Sequence, residues 1–434
     1  MCLTLYSCKT KPIKNINNSL SDNELLDTIQ YQTFNYFWEG AEPNSGLARE
    51  RIHMDDMYST TSPKNTVTTG GSGFGMMAIL VGVERGFITR NEALKKYEKM
   101  ISFLEKADRF HGAWPHWLNG ETGKIVPFSE KDTGGDLVET AFLIQGMLTV
   151  KQYFINGNNQ ERELSARIDK LWKEVEWNWY TKGENVLYWH WSPTDYWDMN
   201  FPIGGYNECL IMYVLAAASP TYPITKLVYD EGWAKNGAIV SNQKMYNHNL
   251  VLNYYEHDAA PVGPLFWAHY SYLGLNPKGL SDQYADYWML VQNQAKIHYD
   301  YAIDNPKKYK GYGKNMWGLT SSYSIKGYAG HRPGNDLGVI SPTAALSSFP
   351  YTPKESMQML KELYKNHESL IGKYGPYDAF SLEYNWSTPR YLAIDQGPIA
   401  VMIENYRTGL LWDLFMKNND VQEGLKKLDF RIKK

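Results

Sequence analysis

Five carboxylates in this chain sit next to glycines at the edge of apolar stretches. Asp136 and Glu139 belong to Gly134-Gly135-Asp136-Leu137-Val138-Glu139-Thr140, and Glu208 ends Gly204-Gly205-Tyr206-Asn207-Glu208. Asp336 opens Asp336-Leu337-Gly338-Val339, and Asp395 opens Asp395-Gln396-Gly397-Pro398. Carboxylates brought together from separate segments suit acetal cleavage, in which one protonates the leaving oxygen and another activates water or attacks carbon. Burial or a like-charged neighbour must raise the acid's pKa while its partner stays ionised. If the stretch after Gly135 is helical, Asp136 and Glu139 share one face about 5–6 Å apart, at the positive end of the helix dipole. Glu208, beside Cys209 and Leu210, reads as the more desolvated proton donor. Asp336 and Asp395 read as caps or as wall residues that bind hydroxyls. The plainer alternative for 134–140 is an ordinary helix cap with an acidic first turn.

The aromatic content is high, with 33 Tyr and 15 Trp, many of them in loops containing Gly or Pro. Such rings stack on the apolar faces of pyranoses, or else they anchor long loops. Trp114, Trp117, Trp189, Trp191, Trp197 and Trp386 are the candidate platforms. Arg49, Arg51, His116, His190 and Arg390 are candidate hydrogen-bonding groups for a sugar. The net charge of −3 gives no sign of a nucleic-acid partner. Cys2, Cys8 and Cys209 have no zinc-like spacing, so no metal is expected. The run Gly70 to Gly75 resembles a phosphate loop but lacks the Lys-Ser/Thr that such a loop requires. No cofactor is called for.

The elements that position these residues repeat. Glycines 73, 135, 205, 263, 338 and 397 each precede a strongly apolar helix-like stretch, about 60–75 residues apart. These inner stretches are Met76 to Glu84, Ala141 to Val150, Cys209 to Ala218, Phe266 to Leu273, Ile340 to Ser348 and Ile399 to Tyr406. Charged amphipathic stretches alternate with them at 89–106, 161–177, 281–298 and 354–367. A helix apolar all round must be buried, and an amphipathic one covers it from outside. The pattern predicts an all-α fold of six helical hairpins in two rings, an (α/α)6 toroid, with residues 21–434 as a single catalytic domain. The starts of the inner helices, and the carboxylates there, should then converge on one concave face. The alternative, an open helical solenoid, needs polar capping repeats that the sequence does not display.

Residues 1–20 are expected to be a flexible N-terminal segment. Leu5-Tyr6-Ser7-Cys8 is similar to the end of a bacterial lipoprotein signal, with Cys8 as the lipid anchor. The apolar part before it is too short for a complete signal, so the true start is expected to lie upstream. No uninterrupted apolar run reaches the roughly 18 residues of a membrane span.

The motifs at 134–140, Gly205-Tyr206-Asn207-Glu208, Gly263-Pro264-Leu265-Phe266 with His269-Tyr270-Ser271, and 395–398 together resemble the bacterial glucoamylase-like proteins. That family includes the endo-β-1,2-glucanases of glycoside hydrolase family 144. The resemblance spans nearly the whole chain after residue 20. It implies the toroid, hydrolysis of β-1,2-glucan or sophoro-oligosaccharides, no obligatory metal, and inversion at the anomeric carbon. It points to Asp136, Glu139 and Glu208 as the carboxylates of interest. The expected protein is a monomeric hydrolase, periplasmic or anchored at the outer membrane. The rival readings are exo release of sophorose, a catalytically inactive glycan-binding protein of an uptake system, an α-glucan-acting glucoamylase, and a lyase on the same scaffold.

Overall fold

A computed structural model describes residues 20–253 and 262–433; Cys8 and the segment before residue 20 lie outside them. Helices dominate. In chain order they are α1 (Asp22–Trp38), α2 (Thr69–Glu84), α3 (Arg90–Leu104), α4 (Leu137–Phe154), α5 (Asn159–Lys173), α6 (Leu210–Ala218), α7 (Tyr287–Asp304), α8 (Pro342–Leu346), α9 (Pro353–Asn366), α10 (Ala393–Arg407), α11 (Leu410–Met416) and α12 (Asn419–Lys427).

Their sequences explain two roles. Capping boxes start α1, α3 and α5, where Ser21, Thr89 and Asn158 each exchange hydrogen bonds with a Glu three residues on. Helices α3, α5, α9 and α12 bury only one face. In contrast, α2 is buried without interruption from Thr69 to Gly82, α4 from Leu137 to Val150, and α6 over its whole length. The buried set packs together: α2 lies against α4 and α10, and α4 against α6, with α5 outside α4 and α12 outside α6. Buried apolar residues from Leu25 to Phe430 form a continuous cluster.

Glycine makes the α2–α4 contact possible. A Cβ on Gly73 would strike the Phe142 carbonyl, and one on Gly146 would strike the carbonyl of Gly73. The two backbones therefore touch directly where larger residues would hold the axes about 8–10 Å apart. Elsewhere, Arg85, which follows α2, forks onto Glu404 of α10 with two bonds of 2.7 Å, and Gln30 of α1 donates to the same carboxylate at 3.1 Å. Truncating one partner of such a buried pair typically costs about 3–5 kcal/mol.

Three expectations are corrected. The fourth inner helix, Phe266 to Leu273, is two 3₁₀ turns, Leu265–Ala268 and Tyr270–Tyr272. Its N–H groups reach back three residues (His269 to Phe266, Tyr272 to His269, both 2.9 Å), and its aromatic residues lose rotamer freedom in an α-helix. The fifth is only the five residues of α8. Glycines 70–75 lie inside α2, which already begins at Thr69.

The fold also contains short antiparallel pairs that an all-α reading omits, and these gather the helix starts. Thr66–Thr68, just before α2, pairs with Trp117–Asn119. Gly135–Asp136, just before α4, pairs with His190–Trp191. Arg390–Leu392, just before α10, pairs with Arg51–His53, and Ile340 before α8 bridges to Phe380. Each ladder ties the mouth of a buried helix to a neighbouring loop.

Candidate active site

These helix mouths surround a cleft of about 660 Å³. Asp136, Glu139 and Glu208 all line it, as do His116, Trp117 and Trp189. Three carboxylates, a histidine and two tryptophans from separate segments therefore meet as the sequence pattern anticipated.

Asp136 is the N-cap of α4 and is completely buried. Its Oδ1 accepts the Glu139 N–H at 2.8 Å, while its Oδ2 accepts from Trp189 Nε1 at 2.7 Å and from His116 Nδ1 at 2.8 Å. The cap and the site are thus one residue, and with both oxygens held it acts as an organiser. Glu139 Oε2 accepts the Gly70 N–H at 2.7 Å and the Thr68 hydroxyl at 3.3 Å. A Cβ on Gly70 would press on that same oxygen, so glycine there is what lets the carboxylate reach the backbone. The other oxygen, Oε1, lies 4.0 Å from His116 Nε2.

His116 is the cation of this cluster. Burial opposes its charge, but Glu139, Asp136 and Asp132 outweigh that and lift its pKa to about 9. Its ring is stacked on Phe128 at 4.0 Å and meets Trp117 edge-on at 5.7 Å. Burial raises the pKa of Glu139, with Asp136 adding to the effect and His116, Gly70 and Thr68 pulling the other way. Ligand atoms of His116, Asp132 and Asp136 lie within 4.8 Å of one another. Within that set, Asp136 Oδ2 already accepts from Trp189 Nε1 and His116 Nδ1.

Glu208 lies on the turn just before α6, two residues short of the helix, and is half-buried. Ser271 Oγ donates to its main-chain carbonyl. The expectation that Glu208 would be the more desolvated acid is corrected: Glu139 is the more deeply buried, because it is enclosed by the mouths of two helices while Glu208 faces the cleft from a turn.

Other candidates are elsewhere. Trp114 is wholly buried, donating to Leu104 O at 3.2 Å beneath the Arg109 guanidinium, and offers no face to a ligand. Asp336 is buried and held by the Tyr312 hydroxyl at 2.7 Å, the Gly338 N–H at 2.8 Å and the Tyr301 hydroxyl at 3.1 Å, a structural role away from the cleft. Asp395 is buried in the first turn of α10 against Asp378. Arg49 donates to Lys64 O, and Arg390 lies over the Tyr323 ring, 3.5 Å from Asp55. Trp386 sits in a two-residue strand paired with Phe380–Ser381. Trp191 and Trp197 pack around Trp179, on the outside of the loop whose Trp189 faces the cleft. His190 is buried, accepting the Gly134 N–H at 3.0 Å.

Arg51, a candidate from the sequence, is on the cleft wall, paired with Glu50 and reaching the Tyr323 hydroxyl. The cleft also contains residues, Glu50 among them, that the sequence reading did not single out as site residues. Tyr270, Tyr328, Arg332 and Asn335 line it as well, and the exposed rings of Phe128 and Phe201 stand at its edge. Asp132 lies behind His116, fully buried and 3.2 Å from His190 Nε2. Its place two residues before Gly134 was the available signal. Tyr270 lay within a motif already noted.

The chain matches known proteins along its length. Residues 200–419 match a family model described as "Putative glucoamylase". An exo β-1,2-glucooligosaccharide sophorohydrolase (non-reducing end) of Parabacteroides distasonis is 47% identical over 94% of this chain; the chain spans 58% of the length of that curated relative. The crystallised endo-β-1,2-glucanase of Chitinophaga pinensis, complexed with sophorotriose and glucose, is 61% identical, with a TM-score of 0.93 over 95% of this chain and 99% of that one. An endo-β-1,2-glucanase of Talaromyces funiculosus shares the fold at 11% identity, with a TM-score of 0.66 over 94% of this chain and 91% of that one.

Proposed function

Because this chain belongs to the glucoamylase-like family, we propose that it is a glycoside hydrolase that cleaves β-1,2-glucan or sophoro-oligosaccharides, with residues 21–434 forming one (α/α)6 catalytic domain. The substrate class follows the relatives named above. The observation that carries the chemistry is the meeting of Glu139 and Glu208 in one aromatic cleft, with Glu139 gripped by the Gly70 N–H, the Thr68 hydroxyl and the His116 imidazolium. In this reading one of the two carboxyl groups gives its proton to the glycosidic oxygen as the bond to the anomeric carbon breaks. The other takes a proton from the water that attacks that carbon. Attack opposite the leaving group inverts the anomeric centre. Asp136 fixes His116 and Trp189 on the wall that receives the sugar. The uniformly buried helices α2, α4, α6 and α10, with amphipathic helices outside them, support the toroid.

No helix among the described residues is long and apolar enough to cross a membrane. The proposed location is the periplasm or the outer membrane, with Cys8 acylated. Palmitate labelling lost in Cys8→Ser tests the anchor, and light scattering tests the proposed monomer.

The decisive experiment is product analysis on linear β-1,2-glucan, with maltodextrin, laminarin and cellulose alongside. Glu208→Gln should lower the rate on β-1,2-glucan about 10²–10⁴-fold. Sophorose as the sole early product identifies exo cutting, and a ladder of longer products identifies endo cutting. Turnover of maltodextrin alone would overturn the linkage assignment. Binding without turnover of any glucan would make the protein a glycan-binding component.

A further inference from the structure

The hairpin that closes one side of the cleft has two faces. Its inner face presents Trp189, Phe201, Pro202 and Ile203 to the cleft. Its outer face, held by the pairing of Leu187–Tyr188 with Pro202–Ile203, presents Trp197 to Trp179 and to a separate hollow of about 500 Å³. We propose that this outer hollow is a second binding site, which takes a stretch of the same neutral glucan chain that the cleft cuts. The proposal rests on the reading of the cleft as a glucan site.

The aromatic geometry is the first support. The His111 ring stacks flat against one face of Trp179, with centroids 3.7 Å apart and planes 14° apart. Trp179 is nonetheless 39% exposed. Trp197 lies 6.4 Å from it, tilted by 31°, and Tyr222, 38% exposed, lines the same hollow. Backing one indole with a second ring, from a residue held in the left-handed region (His111, φ 49°), fixes the orientation of a partly exposed indole at the hollow. Exposed apolar rings gathered in a concave, polar-rimmed place mark binding sites.

The rim decides the ligand class. Asn178 and Thr181 supply amide and hydroxyl groups. The charged rim groups have partners: Glu176 is 2.9 Å from His111 Nδ1, and Lys182 Nζ is 3.2 Å from Asn200 Oδ1. A ligand therefore meets stacking faces and hydrogen-bonding groups without an excess of either charge, which suits a neutral polyol over a phosphate or an acidic peptide. The hollow has the volume of a small-ligand site.

The test separates the two sites. In native gels containing long β-1,2-glucan, Glu208→Gln should be retarded, and adding Trp179→Ala or Tyr222→Ala should weaken that retardation about fivefold, the effect of one lost stacking contact. In the active protein, Trp179→Ala should raise KM for the polymer by a similar factor. The same variant should leave kcat and KM for a sophoro-tetraose within about twofold, since a short substrate fills the cleft alone. If Trp179→Ala proves misfolded by thermal melting, Tyr222→Ala decides. Unchanged retardation in both variants overturns the proposal, and so does a KM shift equal on tetraose and polymer, which would place the effect in the cleft. If β-1,2-glucan is not turned over at all, the catalytic reading fails on its own account. The same gels, run with the glucan panel, still test the outer site: retardation by some glucan that Trp179→Ala weakens supports it, and retardation by none overturns it.

Discussion

At the mouth of α4, Asp132, Asp136 and Glu139 are buried around His116; at the mouth of α10, Asp378 and Asp395 are buried against each other. Both places crowd acids into low dielectric, where like charges cannot all remain ionised without help. The first cluster encloses a cation, His116, whose pKa its acids lift to about 9. The second brings in a proton: burial, and then its partner, raise Asp395 well above the usual carboxylate range, and burial lifts Asp378 to about 6. One oxygen of each (Asp378 Oδ1, Asp395 Oδ2) is buried without a donor, and a proton held between the two side chains would serve both. The Tyr323 N–H closes the other side of Asp378 at 2.7 Å. The difference separates an acidic cluster that holds a cation at the cleft from an acidic pair that holds a proton behind its wall.

The contrast is broken most sharply at Asp136. Asp136→Asn preserves the cap of α4 but removes the anion that orders His116 and Trp189. We expect kcat/KM on β-1,2-glucan to fall about 10²-fold or more, and NMR titration to show the His116 pKa dropping from about 9 toward its ordinary 6.5. A loss below threefold, or an unmoved His116, would show that the wall does not need this carboxylate.

A smaller effect is expected in stability. The folded pKa of His116 lies above its unfolded value, so its contribution is full below pH 6.5 and is lost as pH rises through about 9. Wild type should therefore exceed His116→Gln by about 1–3 kcal/mol in urea unfolding at pH 6, with the gap closing by pH 9–10. A gap that widens with pH would contradict the cation role.

The smallest effect should come from the neutral pair. Folded pKa values raised above 3.8 mean that the pair is most favourable below that pH and loses its contribution as pH rises through about 6. Asp395→Asn mimics the protonated form, so it should match wild type near pH 4 and become the more stable by about 1 kcal/mol above pH 7. Equal stability at both pH values would mean that the pair holds no proton.

What could be read from the sequence depended on period. The outer helices were legible because charged amphipathic runs at 89–106, 161–177 and 354–367 keep their apolar residues on one face. The meeting of Asp136, Glu139 and Glu208 was legible because a buried helix following a glycine-rich turn recurs. Strands of two or three residues have no period to detect, so the ladders were missed. The aromatic segment 265–272 is apolar enough to imitate a buried helix and differs only in its hydrogen-bond spacing. Trp114 and Trp117 are three residues apart in one loop, and only the fold tells which is core and which lines the cleft. Asp336 beside Gly338 has the same local signature as Asp136 beside Gly135, yet it binds two tyrosines.

The pairing of Arg51–His53 with Arg390–Leu392 joins positions more than three hundred residues apart, and Arg85 with Glu404 repeats the connection deeper inside. As the chain leaves the ribosome, the exposed flank of α2 and the wall bearing Glu50 and Arg51 must wait until the segment 390–407 has been made. Such distant closure makes folding slow and leaves apolar surface open meanwhile. Synthesis halted before α10 should yield a species that chaperones retain, and catalytic competence should appear as a late, all-at-once event once that seam closes.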